Sequence, residues 1–350
     1  MACTKICDSI SPAVADPTDY HYGAYTDDGK VWLVSRTGHE QKTCSYFHRV
    51  AYNGGYLISF DTKTKKWGEK TTFDAVSNEE NMEDVLFAVG SHLLMLLYSR
   101  FDGLKYHGLY EWVAESSAWR KIKAFEVEPA AETADEGRNE LASVAVADGL
   151  YLVVTNGSGN VTISKLFVKT HGDHIDKAEV SSVGSLSEDV RPFHHHGHVV
   201  MGGVYKDKLA LIGGTHGCGF RWEPNQPTVF RLNDKTAAKL EITGETPPFS
   251  YSGSRETAGE TPPFSYSGSR ETVVLPDGRW LHITGSTAHG MTGSTYNGQV
   301  WYIDLSKDTL QWEKTPLEVP EDMSAVVVVD MQNKKLFAAG LKMGVFEGQL

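Results

Sequence analysis

Cysteine is scarce: Cys3, Cys7, Cys44 and Cys218 are the only four in 350 residues. That is too few for a disulfide framework in a chain of this length, so free thiols in a reducing compartment are the expectation. Long apolar stretches are missing as well. The run LLMLLY from Leu93 is far too short to span a bilayer, and the N-terminal MACTKICDSISPAVADPTDY has no apolar core of signal-peptide length. A cytosolic protein that engages no membrane is therefore expected, and the sequons beginning at Asn156 and Asn160 are read as chance matches. Basic residues are in deficit, 33 Lys and Arg against 45 Asp and Glu, for a formal net charge of -12. That balance argues against binding nucleic acid, because neutralising phosphates needs clustered cations. No Ser-centred nucleophile elbow, phosphate-cradling glycine loop or HExxH is found in the chain.

What the chain does have is glycine, 34 residues of it, and a repeat. A turn, four or five apolar residues and usually a small residue recur six times: DDGKVWLVSRTG from Asp27, GSHLLMLLYSR from Gly90, ADGLYLVVTNG from Ala147, KDKLALIGG from Lys206, PDGRWLHITG from Pro276 and NKKLFAAG from Asn333. Each predicts a tight hairpin leading into a buried strand. Between the first strand residues (Val31, Leu93, Leu150, Leu209, Trp280, Leu336) the intervals by subtraction are 62, 57, 59, 71 and 56. The long interval holds a near-verbatim tandem copy, GETPPFSYSGSRETA from Gly244 and GETPPFSYSGSRETV from Gly259, which lengthens a connector and is read as a recent neutral duplication or a gene-model error, with an enlarged binding surface as the alternative. A period of this size is that of a propeller blade.

A second landmark follows each strand: an apolar strand, a polar turn, then Trp or Leu, as in YLISFDTKTKKW to Trp67, LYEWVAESSAW to Trp119, VFRLNDKTAAKL to Leu240 and VWYIDLSKDTLQW to Trp312. With the double glycine Gly213-Gly214, these segments resemble kelch repeats over nearly the whole chain. The resemblance implies an all-β, six-bladed β-propeller of four-stranded antiparallel blades, in one domain over 1–350. The blades are expected at about 20–75, 82–126, 139–184, 194–246, 265–318 and 322–350 plus 3–10. The last blade runs out after three strands, while CTKICDSISP from Cys3 resembles an outer strand, so the N-terminus is predicted to close it.

In such blades the turns are short on one face and long on the other. The long loops carry Arg36, His39, Tyr46, Phe47, Arg100, Tyr106, His107, His216, Arg221, Trp222 and His289, residue types that dominate binding hot spots when exposed. Inward packing of the aromatic ones is the plainer alternative. In RPFHHHGHVV from Arg191, a strand beginning at once would put His194, His196 and His198 on one side, able to aim imidazoles at a metal. Structural or channel-lining histidines are the reading preferred there, since short motifs are weakly specific. The acidic connector from Glu126 is read as a solvated loop, and Cys3 and Cys7 as ordinary strand residues.

Function is read first as a non-catalytic module, without cofactor and monomeric, presenting the long loops to a protein partner. The alternative is an enzyme or small-ligand site, metal-dependent or sugar-modifying, at the mouth of the central channel, with His39, His198, His216 and His289 as proton-transfer or metal groups.

Overall fold

Fully apolar strands and alternating strands mark different places in one kind of sheet. In His92–Ser99 every side chain but the last is buried, and in Gly149–Thr155 all are, because each of these strands is covered by a blade on both faces. The strand Leu310–Glu318, on the outside, alternates between buried and exposed residues. The computed structural model describes residues 3–9, 22–36, 42–44, 47–49, 54–77, 82–100, 103–132, 139–193, 197–215, 221–222, 227–245, 272–283, 286–288, 294–296, 299–307, 309–319, 326–341 and 344–350.

These residues form six blades, strands a to d running from the axis outward. Strands a and b are Tyr22–Thr26 and Lys30–Arg36, Met82–Val89 and His92–Ser99, Glu140–Val146 and Gly149–Thr155, Gly197–Tyr205 and Lys208–Thr215, Thr272–Val274 and Arg279–Ile283, and Val326–Asp330 and Lys335–Gly340. Strands c and d follow as Gly55–Asp61 with a split Lys66–Trp67 and Thr71–Phe73, Lys105–Val113 with Ala118–Lys121, Val161–His171 with His174–Leu186, Thr228–Arg231 with Ala237–Lys239, and Gln299–Asp304 with Leu310–Glu318. Strand c of blade 6 is Gly344–Gln349. Its strand d is Thr4–Cys7 from the other end of the chain, with Thr4 opposite Glu347 and Cys7 opposite Val345. The predicted closure is present.

Blades 3 and 5 carry one strand more than expected. The connector leaving blade 2 lays Phe125–Val127 parallel to strand d of blade 3, and the one leaving blade 4 lays Ile242–Thr243 parallel to strand d of blade 5. Each connector thereby covers the outer edge of the blade it leads into.

The ring is held by contacts between neighbouring blades. Strand a of blade 1 touches those of blades 2 and 6, that of blade 3 touches those of blades 2 and 4, and that of blade 4 touches that of blade 5. The buried apolar residues fall into six clusters, one at each blade-to-blade joint. Between blades 2 and 3, for example, Val85, Leu94 and Leu96 pack with Leu141, Leu152 and Leu166. The Trp landmarks belong to these joints: Trp119 meets Trp112 and Phe73 edge-on at centroid distances of 5.5 and 5.9 Å.

The double glycine has a steric cause. A Cβ on Gly213 would stand 2.3 Å from the Pro192 carbonyl oxygen and 2.9 Å from Phe193 Cβ, so only glycine lets the chain entering blade 4 lie against strand b. That same entry differs from the expectation for RPFHHHGHVV. A 3-10 turn at Glu188–Val190 precedes the strand, which begins only at Gly197. His198 lies in that strand, and His194 and His196, on which the expected alternation also depends, fall outside the described residues.

Candidate functional site

The two mouths of the channel differ in chemistry. On the short-turn face a cavity of about 380 Å³ is lined by Val144, Val146, Gly202, Gly203, Val204, Tyr205, Val274, Leu275, Pro276 and Met331, among others, and is mostly apolar. On the long-loop face the innermost strands begin, and the second strands end, with buried polar residues: Ser35, Asp84, Arg100, Asn139, Glu140, Thr155, Asn156, His198 and His282. Polar groups buried in this way must find partners, and those at this end find them across neighbouring strands and blades.

The densest part of this set bridges blades 2 and 3. Arg100, just past strand b of blade 2, places Nε 2.6 Å from Glu83 Oε1 and Nη1 2.6 Å from Glu140 Oε2. Glu83 lies in strand a of blade 2 and Glu140 opens strand a of blade 3, so one guanidinium ties two innermost strands together. The Tyr98 hydroxyl donates to Glu83 Oε2 at 2.8 Å from the directly opposite position on strand b. Burial, reinforced by the Glu83 charge, pushes the Tyr98 hydroxyl well above its ordinary range and keeps it a donor. The backbone N–H and side-chain amide of Asn139 both donate to the Arg100 carbonyl, at 3.0 and 3.3 Å. Two carboxylates thus flank one buried guanidinium. Blades 3 and 4 are joined at the same level, where the Val199 N–H donates to Thr155 Oγ1 at 3.1 Å beside His198.

Two residues expected in exposed loops are not exposed. Arg100 retains 6% of its surface and Tyr106 8%, because Glu83 and Glu140 draw the arginine inward and Leu104, Ile122 and Ala131 enclose the tyrosine. The Tyr106 N–H donates to Glu132 Oε1 at 2.9 Å, and burial pushes its hydroxyl upward. His107 is half-buried, its Nε2 2.9 Å from Ser99 Oγ. Arg36 ends strand b of blade 1. Arg221 and Trp222 form a short strand against Thr215 and Gly214, prolonging strand b of blade 4 beyond its pairing with strand c. His39, Tyr46, His216 and His289 lie outside the described residues. Two long loops contain small hairpins, Lys42–Cys44 with Phe47–Arg49 and Ser286–Ala288 with Ser294–Tyr296.

The structure brings Glu83, Tyr98, Arg100, Asn139 and Glu140 together, and only Arg100 stood out in the sequence. Glu140 sat at the end of an acidic stretch and Glu83 in an acidic, asparagine-rich one, where neither is distinguishable from a solvated charge. Among the described residues no group of three or more His, Cys, Asp and Glu is placed to hold a metal ion.

No protein-family model matches the chain, and no curated protein matches it in sequence. Solved structures do match in fold. An α-L-arabinofuranosidase of Fusarium graminearum bound to an iminosugar inhibitor is 13% identical, with 99% of this chain and 96% of that one covered and a TM-score of 0.50. A structure of the arabinofuranosidase of the same fungus with arabinobiose is 12% identical, with the same coverage and a TM-score of 0.51. Similarity at this level establishes the propeller fold.

Proposed function

We propose that the chain is a propeller enzyme that cleaves a glycosidic bond in the loop-face mouth of the channel, with Glu83 and Glu140 as its carboxylates. The observation that carries this reading is the buried Glu83–Arg100–Glu140 cluster, where two innermost strands open onto the long-loop face. Glycoside cleavage runs through an oxocarbenium-like transition state flanked by two carboxyl groups, and pre-positioned carboxylates favour the positive charge that develops there. Glu83 is fixed by both Arg100 and the Tyr98 hydroxyl, which suits the role of a stationary counter-charge. Glu140, at the first position of its strand, suits the group that meets the anomeric carbon or takes a proton from the attacking water, and solvent water supplies the proton that the leaving oxygen takes. That the solved structures of like fold include arabinofuranosidases adds support, by analogy of fold alone.

The experiment is a screen of aryl glycosides, α-L-arabinofuranosides included, with the wild-type chain and Glu140→Gln. Release of the aryl group by the wild type and a loss of about 10²–10⁴-fold in Glu140→Gln is the expected result. Full activity in Glu140→Gln, or no cleavage and no saturable sugar binding with any glycoside, overturns the assignment. Lys63, Lys65 and Lys307, exposed on the opposite face, serve as controls whose replacement leaves activity intact.

The second reading, a module that presents this face to a protein partner, is favoured by the two small hairpins within the long loops. It would rest on Arg36, Arg221 and Trp222 rather than on Arg100, whose guanidinium is already engaged. Under either reading we take the repeat to be kelch-like in origin and the protein to work as a cytosolic monomer. Among the described residues no helix is long and apolar enough to cross a membrane.

A further inference from the structure

We infer that His92 and Glu111 form a proton-held latch between blades 2 and 3, closed while the imidazole carries both ring protons and released at Gly172 when it loses one. His92 begins strand b of blade 2, at the short-turn end. Its Nδ1 is 2.6 Å from Glu111 Oε1 on strand c of the same blade, and its Nε2 is 3.3 Å from the carbonyl oxygen of Gly172 at the tip of the blade 3 hairpin. Both residues are 7% exposed. A backbone carbonyl can only accept, so Nε2 must donate to it. Glu111 Oε2 takes a charge-assisted bond from Arg120 Nη2 at 2.6 Å, which favours a carboxylate that also accepts from Nδ1. Two acceptors facing two ring nitrogens are both satisfied only by a ring that carries both protons.

A neutral imidazole has one N–H, so on deprotonation one contact becomes a meeting of lone pairs. The carboxylate contact is the stronger, being charge-assisted, and holds the remaining proton at Nδ1. The contact that breaks is the one to Gly172, and it is the one that joins two blades. The joint is therefore complete at low pH and loosens as pH rises. The charged and titratable groups around it are Glu111 and Arg120 from blade 2 and the exposed His171, Asp173 and His174 flanking Gly172 in blade 3. The same joint carries the Glu83–Arg100–Glu140 bridge at its other end, so the latch acts on the spacing of two blades that share the polar cluster. It stands whether or not that cluster acts on glycosides.

The test follows the ring nitrogens of His92 by NMR in the full chain from about pH 5.5 to about pH 8, with hydrogen exchange at the amides flanking Gly172, corrected for intrinsic rates. Two ring N–H groups at the acid end, loss of the Nε2 proton on raising the pH, and several-fold faster hairpin exchange are expected. In Glu111→Gln the carboxamide can donate to a neutral ring, so hairpin exchange should lose its pH dependence. His92→Gln should lose it as well, and these variants separate the latch from titration of His171 and His174. A ring that stays neutral throughout overturns the proposal. So does pH-dependent hairpin exchange that persists undiminished in both variants.

Discussion

Arg100 shows how much a single side chain changes meaning when its partners come from different blades. In the sequence it follows Ser99 into a polar loop and resembles an exposed hot-spot residue; in the fold it lies between Glu83 and Glu140 with 7% of its side chain exposed. Arg100→Ala strips the counter-charge from two buried carboxylates and is expected to destabilise the chain by about 3–5 kcal/mol, read from urea unfolding midpoints. An exposed loop arginine would shift them by less than about 0.5 kcal/mol. His282 supplies a second residue-level prediction. Burial alone drives its imidazole from the ordinary 6.5 down to about 3, so between those values the unfolded chain binds a proton that the native one does not. Stability should therefore fall as pH drops through that window, with a slope of at most about 1.4 kcal/mol per pH unit from this residue. His282→Gln should flatten the slope measured by denaturant titration across the acid range, and an unchanged slope would assign the acid sensitivity elsewhere.

At the scale of the strand, the joining of the chain ends depends on Gly344. Its φ of +88° is unfavourable for any other residue, and a Cβ there would stand 2.3 Å from the Cys7 carbonyl oxygen and 2.9 Å from the Asp8 carbonyl carbon. Gly344→Ala is expected to cost about 1–3 kcal/mol and to expose the amides of Gly344–Gln349 to exchange before those of other blades. Equal protection of all six blades in the variant would show that the closing strand tolerates the methyl group. These elements were legible to different degrees. The b strands announce themselves, since a strand covered on both faces must be apolar throughout, as LLMLLY is. The closing strand could be read because CTKIC matches other outer strands while the last blade lacked one. The added strands Phe125–Val127 and Ile242–Thr243 could not be read, because a two- or three-residue parallel pairing leaves no periodicity and is set by where the connector passes.

Over the whole molecule, the sequence shows where function could sit but not which residues carry it. The lopsided loop lengths point to one face, and buried polar residues such as Arg100, Glu140 and His198 lie at that end of the ring, while Thr26, His92, Glu111 and Asp330 lie at the other. The cluster itself depends on Glu83, Arg100 and Glu140 being brought together from two blades, a contact that no local pattern encodes. Many of the long-loop residues singled out, such as His39 and His216, lie outside the described residues. The pairing of Thr4–Cys7 with Gly344–Gln349 also bears on how the molecule is made. A ribosome adding about 5–20 residues per second produces the closing strand first and its partner on the order of tens of seconds later. Throughout that interval the nascent chain is an open arc with an unsatisfied blade at each end, so a chaperone that shields β edges during translation should raise the yield of folded protein more than one that acts after release.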